Sequence, residues 1–317
     1  MKLKEAFFHT PGPTNLKEAG ILYFKGMLMG AADIVPGVSG GTVALIVGIY
    51  TSLLEAIQSV DFATIKRLAR FDLAGALAGV HLRFLLILLS GIATSLITLA
   101  HLMNWLLGHH AIFTWSAFFG LIAASTVILG RKIPHWLGGN GIAFAVGFVA
   151  AWVIVGLIPV QTPETWWFII LSGAIGICAM ILPGISGAFL LLILGKYVYV
   201  TGALRDPLAP GSLAVILLFT LGMVLGITGF SRVLTWLLHR WHLLTLAFLT
   251  GLMTGSMRKI WPWKEALETV EIRGKVHVLT EANILPQVDS QFYVALGIML
   301  VSLFATLYLE GLVKDEN

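Results

Sequence analysis

The sequence predicts an all-α polytopic membrane protein made of two inverted repeats, each a re-entrant helical hairpin plus three transmembrane helices. Three observations predict it. Of 317 residues, 58% are hydrophobic and only 11% charged, with a mean hydropathy of +0.92, whereas a soluble domain carries about 25% charged residues. The chain also matches itself. At an offset of 147, Gly26 to Tyr50 aligns without a gap on Gly173 to Tyr197, so PGVSGG at 36–41 falls on PGISGA at 183–188. At an offset of 131, Gly91, Trp105, Gly120 and Ser125 fall on Gly222, Trp236, Gly251 and Ser256. Two collinear blocks point to an internal duplication, a common plan among transporters. Finally, the apolar segments 21–57 and 166–200 are 37 and 35 residues long. That is too many for one crossing of a ~30 Å hydrocarbon core and too few for two crossings and a turn.

Taken in order, residues 1–20 are charged and lack the 7–15-residue apolar core of a signal peptide, so they are expected to remain as a cytoplasmic segment. Repeat 1 covers 21–160, with a re-entrant hairpin at 21–57 and spans at 84–107, 112–130 and 140–159. Repeat 2 covers 161–317, with a hairpin at 166–200, spans at 212–238, 243–257 and 291–311, and an extracytoplasmic loop at 258–290. Each hairpin breaks at its proline-glycine motif into two half-length helices, which is tolerated where irregular backbone is buried in protein or lines a cavity.

Charge placement sets the orientation. With the N-terminus inside and both hairpins re-entrant, twelve of the 20 Lys and Arg lie on the cytoplasmic side and seven outside, with Arg232 inside a span. If both hairpins crossed fully, six would lie inside and thirteen outside, so the positive-inside rule selects the re-entrant arrangement. Both termini are then cytoplasmic, and an odd number of passes per half inverts the second repeat.

The broken segments carry the chemistry. After Pro36, glycines Gly37, Gly40 and Gly41 permit a tight turn, and a helix starting near Ser39 to Thr42 leaves its first N–H groups without helical partners. Such an end attracts anions, and Ser39 and Thr42 add hydroxyls. Gly184, Ser186 and Gly187 supply the second tip. Close packing of small residues is the alternative reading of these glycines.

Ionisable residues inside apolar segments are costly and usually functional. Asp33 precedes the first tip, and its repeat partner is Met180; Glu55 is matched by Gly202, and Arg232 by His101. Arg232 is assigned to phosphate binding, while Asp33, Glu55 and His101 are assigned to coupling or charge compensation. His101 also fits a neutral core position. Lys25 and Arg83 sit at a cytoplasmic entrance, where snorkelling explains them equally well. IKRLARF at 65–71 mixes bases and apolar residues at helical spacing and is expected to lie along the cytoplasmic interface.

Nine histidines without HExxH-type spacing and the single Cys178 predict no metal and no cofactor. A net charge of +4 without basic clusters predicts no nucleic-acid partner. Oligomeric state is left open.

MGAADIVPGVSGGT at 29–42, GIY at 48–50 and LPGISG at 182–187 together resemble a bacterial family of polyprenyl-phosphate translocases, over roughly 20–310. The resemblance implies a flippase returning undecaprenyl phosphate, the carrier lipid of cell-wall precursors, from the outer to the inner leaflet of the bacterial inner membrane. It places Asp33, Gly37, Ser39, Gly40 and Thr42 in the family motif, with Gly184, Ser186 and Gly187 in the repeat. Ala188 and Phe189 replace the second glycine and the threonine, which predicts fewer donors at the second tip. Proton or sodium coupling through alternating access is expected, with the polyprenyl-phosphate lipid and membrane lipids as partners. Two other readings compete: a secondary transporter of a small anion, and an intramembrane serine hydrolase using GxSG with Ser39 and His101. The duplicated motif argues against the enzyme, since a hydrolase needs one nucleophile.

Overall fold

The computed structural model describes residues 10–34, 39–60, 64, 66, 67, 72, 75, 79–272 and 275–315. Gly37 and most of 65–71 lie outside the described residues. The chain opens with α1 (Leu16–Ile34), whose start is set by a reciprocal cap. The Glu18 N–H donates to Asn15 Oδ1 at 2.9 Å, and the Thr14 N–H donates to Glu18 Oε2 at 2.7 Å. Two short helices follow, α2 (Gly40–Ile46) and α3 (Tyr50–Gln58), then α4 (Leu82–His109), α5 (Ala111–Arg131) and α6 (Gly139–Val155). The second half repeats this order with α7 (Trp166–Ile181), α8 (Gly187–Ile193), α9 (Tyr197–Arg205), α10 (Ser212–Arg240) and α11 (His242–Ser256). A hairpin of β1 (Lys264–Ile272) and β2 (Lys275–Asn283) then precedes α12 (Ser290–Asp315).

Among the described residues, four helices are long and apolar enough to cross a membrane, or six if each bent pair α2–α3 and α8–α9 counts as one span. The chain is a multi-pass helical membrane protein.

Two expectations are corrected. The fold is not wholly α-helical, because the loop at 258–290 contains the antiparallel β1–β2 pair. In KEALETVEI and KVHVLTEAN polar and apolar residues roughly alternate, the period of a strand and not of a helix. The broken segments, moreover, hold three helices each instead of two. α1 has 19 residues and α7 has 16, while the short pairs have 7 and 9 residues in both halves.

The extra break has a local cause. Gly48 (φ +73°) and Gly195 (φ +64°) adopt the left-handed conformation that stops a helix. Beyond them the Ile49 N–H reaches Ala44 O (2.9 Å) and the Lys196 N–H reaches Leu191 O (2.8 Å). Each closure is a Schellman motif, and the pairs bend by 120° and 108°.

Packing repeats with the sequence. A Cβ on Gly91 would lie 2.2 Å from the carbonyl oxygen of Tyr23, and one on Gly222 would lie 2.0 Å from that of Ile170; the two contacts are related by the same offsets of 131 and 147. These helices therefore approach backbone to backbone, the mode by which spans associate where lipid removes the hydrophobic drive. The last helices exchange partners between halves: α5 packs on α12, and α11 packs on α6. Gly120 faces Met299 as Gly251 faces Phe144. Residues 144 and 299 differ by 155, so the β-hairpin loop accounts for 24 residues inserted after the second block. Around the centre, Ala44, Leu54, Ile122, Leu249 and Met253 are fully buried.

Candidate functional site

Asp33, in the last turn of α1, lies beside the start of α2. Its Oδ1 accepts the Gly40 N–H at 2.7 Å, while Ser39, the N-cap residue in extended conformation, accepts the Gly41 N–H at 3.2 Å. A carboxylate and a hydroxyl thus occupy two of the orphan donors that open the short helix. A Cβ on Gly40 would meet Asp33 Oδ2 at 2.6 Å, so only glycine lets the carboxylate approach this closely.

The first tip then reaches into the second. Ser39 donates to the carbonyl oxygens of Met180 (3.1 Å) and Leu182 (3.3 Å), and Tyr50 donates to that of Ile181 (3.1 Å). Thr42 Oγ1 accepts the Gly184 N–H at 2.8 Å. The end of α7 and the turn after it present carbonyls without helical partners, and the first tip supplies them with hydroxyl donors. Ser39 and Thr42 are 1% and 0% exposed, so both work inside the protein. Gly41 lies against the Ile181 carbonyl, where a Cβ would come to 2.4 Å.

The structure therefore brings Asp33, Ser39, Gly40, Gly41, Thr42 and Gly184 to one junction between the tips, with Ser186 and Gly187 at the start of α8. It also engages donors that the sequence offered to an anion. Gly40, Gly41 and Gly184 direct their N–H groups to Asp33, Ser39 and Thr42. At the second tip Ser186 makes no side-chain cap to α8.

Other residues lie apart from the junction. Arg232 is exposed on α10, within a helix long and apolar enough to cross a membrane, and His101 is exposed on α4. Next to Arg232, Ser231 is buried, and its carbonyl accepts from Gln58 Nε2 at 3.0 Å. Glu55 lines a cavity of about 300 Å³ with Glu18, Ser52, His81 and Phe84. The Arg83 guanidinium donates to the carbonyl oxygens of Thr10 and Pro13. Lys25 is half-buried on α1. Among the described residues, no three His, Cys, Asp or Glu side chains converge as metal ligands.

Three lysines counted among the seven outside charges, Lys196, Lys259 and Lys264, are placed against protein. Lys196, 2% exposed, donates to Thr162 O at 2.9 Å and lies over the Phe168 and Tyr199 rings. Lys259 and Lys264 share Glu281 Oε2 at 3.4 and 3.2 Å. Burial pushes the Lys264 ammonium down to about 8, against the opposing pull of Glu281. Burial acts to raise Glu281, but the two lysines outweigh it and hold its carboxyl below the usual range. One signal was available for Lys264: it opens an alternating segment, so its face is fixed by strand period.

Paired broken helices meeting tip to tip inside a multi-pass membrane protein define the class of transporters with discontinuous helices. The undecaprenyl phosphate translocase-like family model matches residues 29–277, and the chain belongs to that family. It is 43% identical over 296 residues to a polyprenyl-phosphate transporter of Vibrio cholerae, covering 91% of this chain and 95% of the relative. A polyprenyl-phosphate transporter of Staphylococcus aureus is 30% identical over 253 residues, covering 75% and 84% respectively. No solved structure matches significantly.

Proposed function

We propose that this protein carries a polyprenyl phosphate, of the undecaprenyl type, from the outer to the inner leaflet of a bacterial inner membrane by alternating access. The observation that carries this reading is the junction itself, where Ser39, Thr42 and Tyr50 of one broken segment hold the backbone of the other at 180–184. Separating two such tips exposes backbone N–H groups and hydroxyls together, and a phosphate monoester can satisfy them. Family membership supplies the substrate class.

The inverted arrangement is supported by which ends meet. Arg83, at the start of α4, binds the segment leading into α1, and Gln58 meets Thr235 near the end of α10, so α4 and α10 run oppositely if α3 lies on the α1 entry side. Lys264 over Trp115 puts the β-hairpin at the start of α5, and the Arg258 bond to Trp152 puts it at the end of α6. The positive-inside count then assigns the β-hairpin to the extracytoplasmic side and both termini to the cytoplasm.

A phosphate monoester carries about −1.5 to −2 charges near neutral pH. Moving it inward works against about 2.3 kcal/mol per charge per 100 mV. Asp33 is the residue placed to couple this movement to a proton or sodium ion, since its carboxylate holds the Gly40 N–H that a phosphate oxygen would take. Protonating Asp33 frees that donor as the anion arrives. Glu55 and His101 are assigned to the same charge compensation on the cytoplasmic and outer parts of the path, and Arg232 to the headgroup at the lipid-facing side of α10. The small-anion alternative shares the junction but needs no lipid. In the hydrolase alternative Ser39 needs an imidazole, yet backbone groups take up its hydroxyl.

The test is a leaflet-resolved assay of undecaprenyl phosphate in vesicles bearing the purified protein, with and without a pH or sodium gradient. The reading expects protein-dependent, gradient-stimulated inward movement. Equal movement in empty vesicles contradicts it.

A further inference from the structure

Between α11 and β1, three basic residues are packed against aromatic rings, and one acid pairs with two of them. Lys264 has a side chain only 10% exposed. It lies 4.2 Å from the centre of the Trp115 ring and forms a 3.2 Å ion pair with Glu281. The same carboxylate oxygen also serves Lys259, whose Nζ lies 4.8 Å from the ring centre of Phe189. Phe189 is the residue of the second tip that stands where Thr42 stands in the first. Among the described residues the two ammonium groups thus share one carboxylate oxygen, and ion-pairing capacity is left over.

Beside this cluster runs a groove of about 360 Å³, lined by Phe119, Trp152, Met257, Trp261 and Leu285, with Arg258 on its wall. Arg258 stacks on Trp152 at 4.8 Å and donates to its carbonyl oxygen at 3.2 Å. Phe119 lies one helical turn after Trp115 and packs on Trp261, so groove and cluster share one face of α5. A cation buried against rings is expensive unless paired, and a doubly charged anion meets that need better than a single carboxylate.

We infer that Lys259, Lys264 and Arg258 form a docking site on the β-hairpin side for a phosphate monoester attached to an apolar chain, with Glu281 holding the cations in place until the ligand arrives. The inference rests on the transport reading and names the point where the lipid headgroup is first captured. The Phe189 contact links that point to the second tip. The polar head takes the lysines, and the aromatic groove takes the first carbons of the chain. Glu281 competes for the same ammonium groups, so the site releases its ligand instead of trapping it.

The test uses the detergent-purified full chain, with farnesyl phosphate, farnesol and inorganic phosphate as probes and thermal unfolding as a check on folding. Lys264→Met is expected to weaken farnesyl phosphate binding roughly tenfold, the size associated with a hydrogen bond to a charged group. Glu281→Gln is expected to tighten it, an effect that loss of structure cannot produce. Farnesol binding is expected to change little, and inorganic phosphate to bind far more weakly than farnesyl phosphate. Unchanged farnesyl phosphate binding in both folded variants overturns the site, and if wild type still translocates undecaprenyl phosphate the transport reading survives. Inorganic phosphate binding as tightly as farnesyl phosphate overturns the role of the groove.

Discussion

The two broken segments share an order of helices and differ in the side chains at their tips. At the first tip Asp33 and Ser39 cap α2, and Ser39, Thr42 and Tyr50 reach across to the other tip. At the second, Met180, Ser186 and Phe189 occupy the positions of Asp33, Ser39 and Thr42, and α8 has no side-chain cap. The first tip gives hydroxyls and the second offers backbone to receive them. Duplication supplies two broken segments, and divergence makes them a lock and its seat.

The largest effect is expected for Gly41→Val, because a Cβ there meets the Ile181 carbonyl at 2.4 Å. Overpacking costs about 1–3 kcal/mol and more when backbone must move, so thermal unfolding in detergent should drop sharply and transport should be lost. At the matching position of the second tip the chain already carries Ala188, so Ala188→Gly should leave both readouts near wild type.

Thr42→Val comes next. It leaves the buried Gly184 N–H without its 2.8 Å acceptor, a loss of about 1–3 kcal/mol that the same unfolding measurement reads. Asp33→Ala removes an N-cap acceptor and should destabilise by about 1 kcal/mol. Asp33→Asn keeps an acceptor and should unfold close to wild type while losing gradient-stimulated transport. Equal transport loss with no difference between Asn and Ala in stability would tell against a capping role.

The smallest effect concerns pH. Burial holds Lys264 near 8 against an ordinary 10.5, so the unfolded chain binds more protons between those values. Stability should therefore climb as pH rises through that window, and Lys264→Met should remove that part of the climb. Unfolding curves at pH 7 to 10 check the sign.

Much of this architecture was legible in the chain. The matched PGVSGG and PGISGA located both tips, and matched glycines located the helix crossings at Gly91 and Gly222. The second break was visible as the repeated Gly48–Tyr50 and Gly195–Tyr197 pairs, yet only the left-handed φ reveals them as helix stops. The β-hairpin was hidden by reading 258–290 for charge instead of alternation. What sequence could not give was the use made of Ser39 and Thr42. Their partners lie more than 140 residues away, and a hydroxyl near a helix start reads alike whether it faces a ligand or a second tip.

In alternating access the tips hold together in one state and part in another. Replacing Cys178 with Ala, placing cysteines at Ser39 and Leu182, whose Oγ and O atoms are 3.3 Å apart, and bridging them with a short reducible crosslinker fixes the first state. Undecaprenyl phosphate movement in vesicles should stop on crosslinking and return on reduction. Undiminished movement in the fully crosslinked protein would contradict the account.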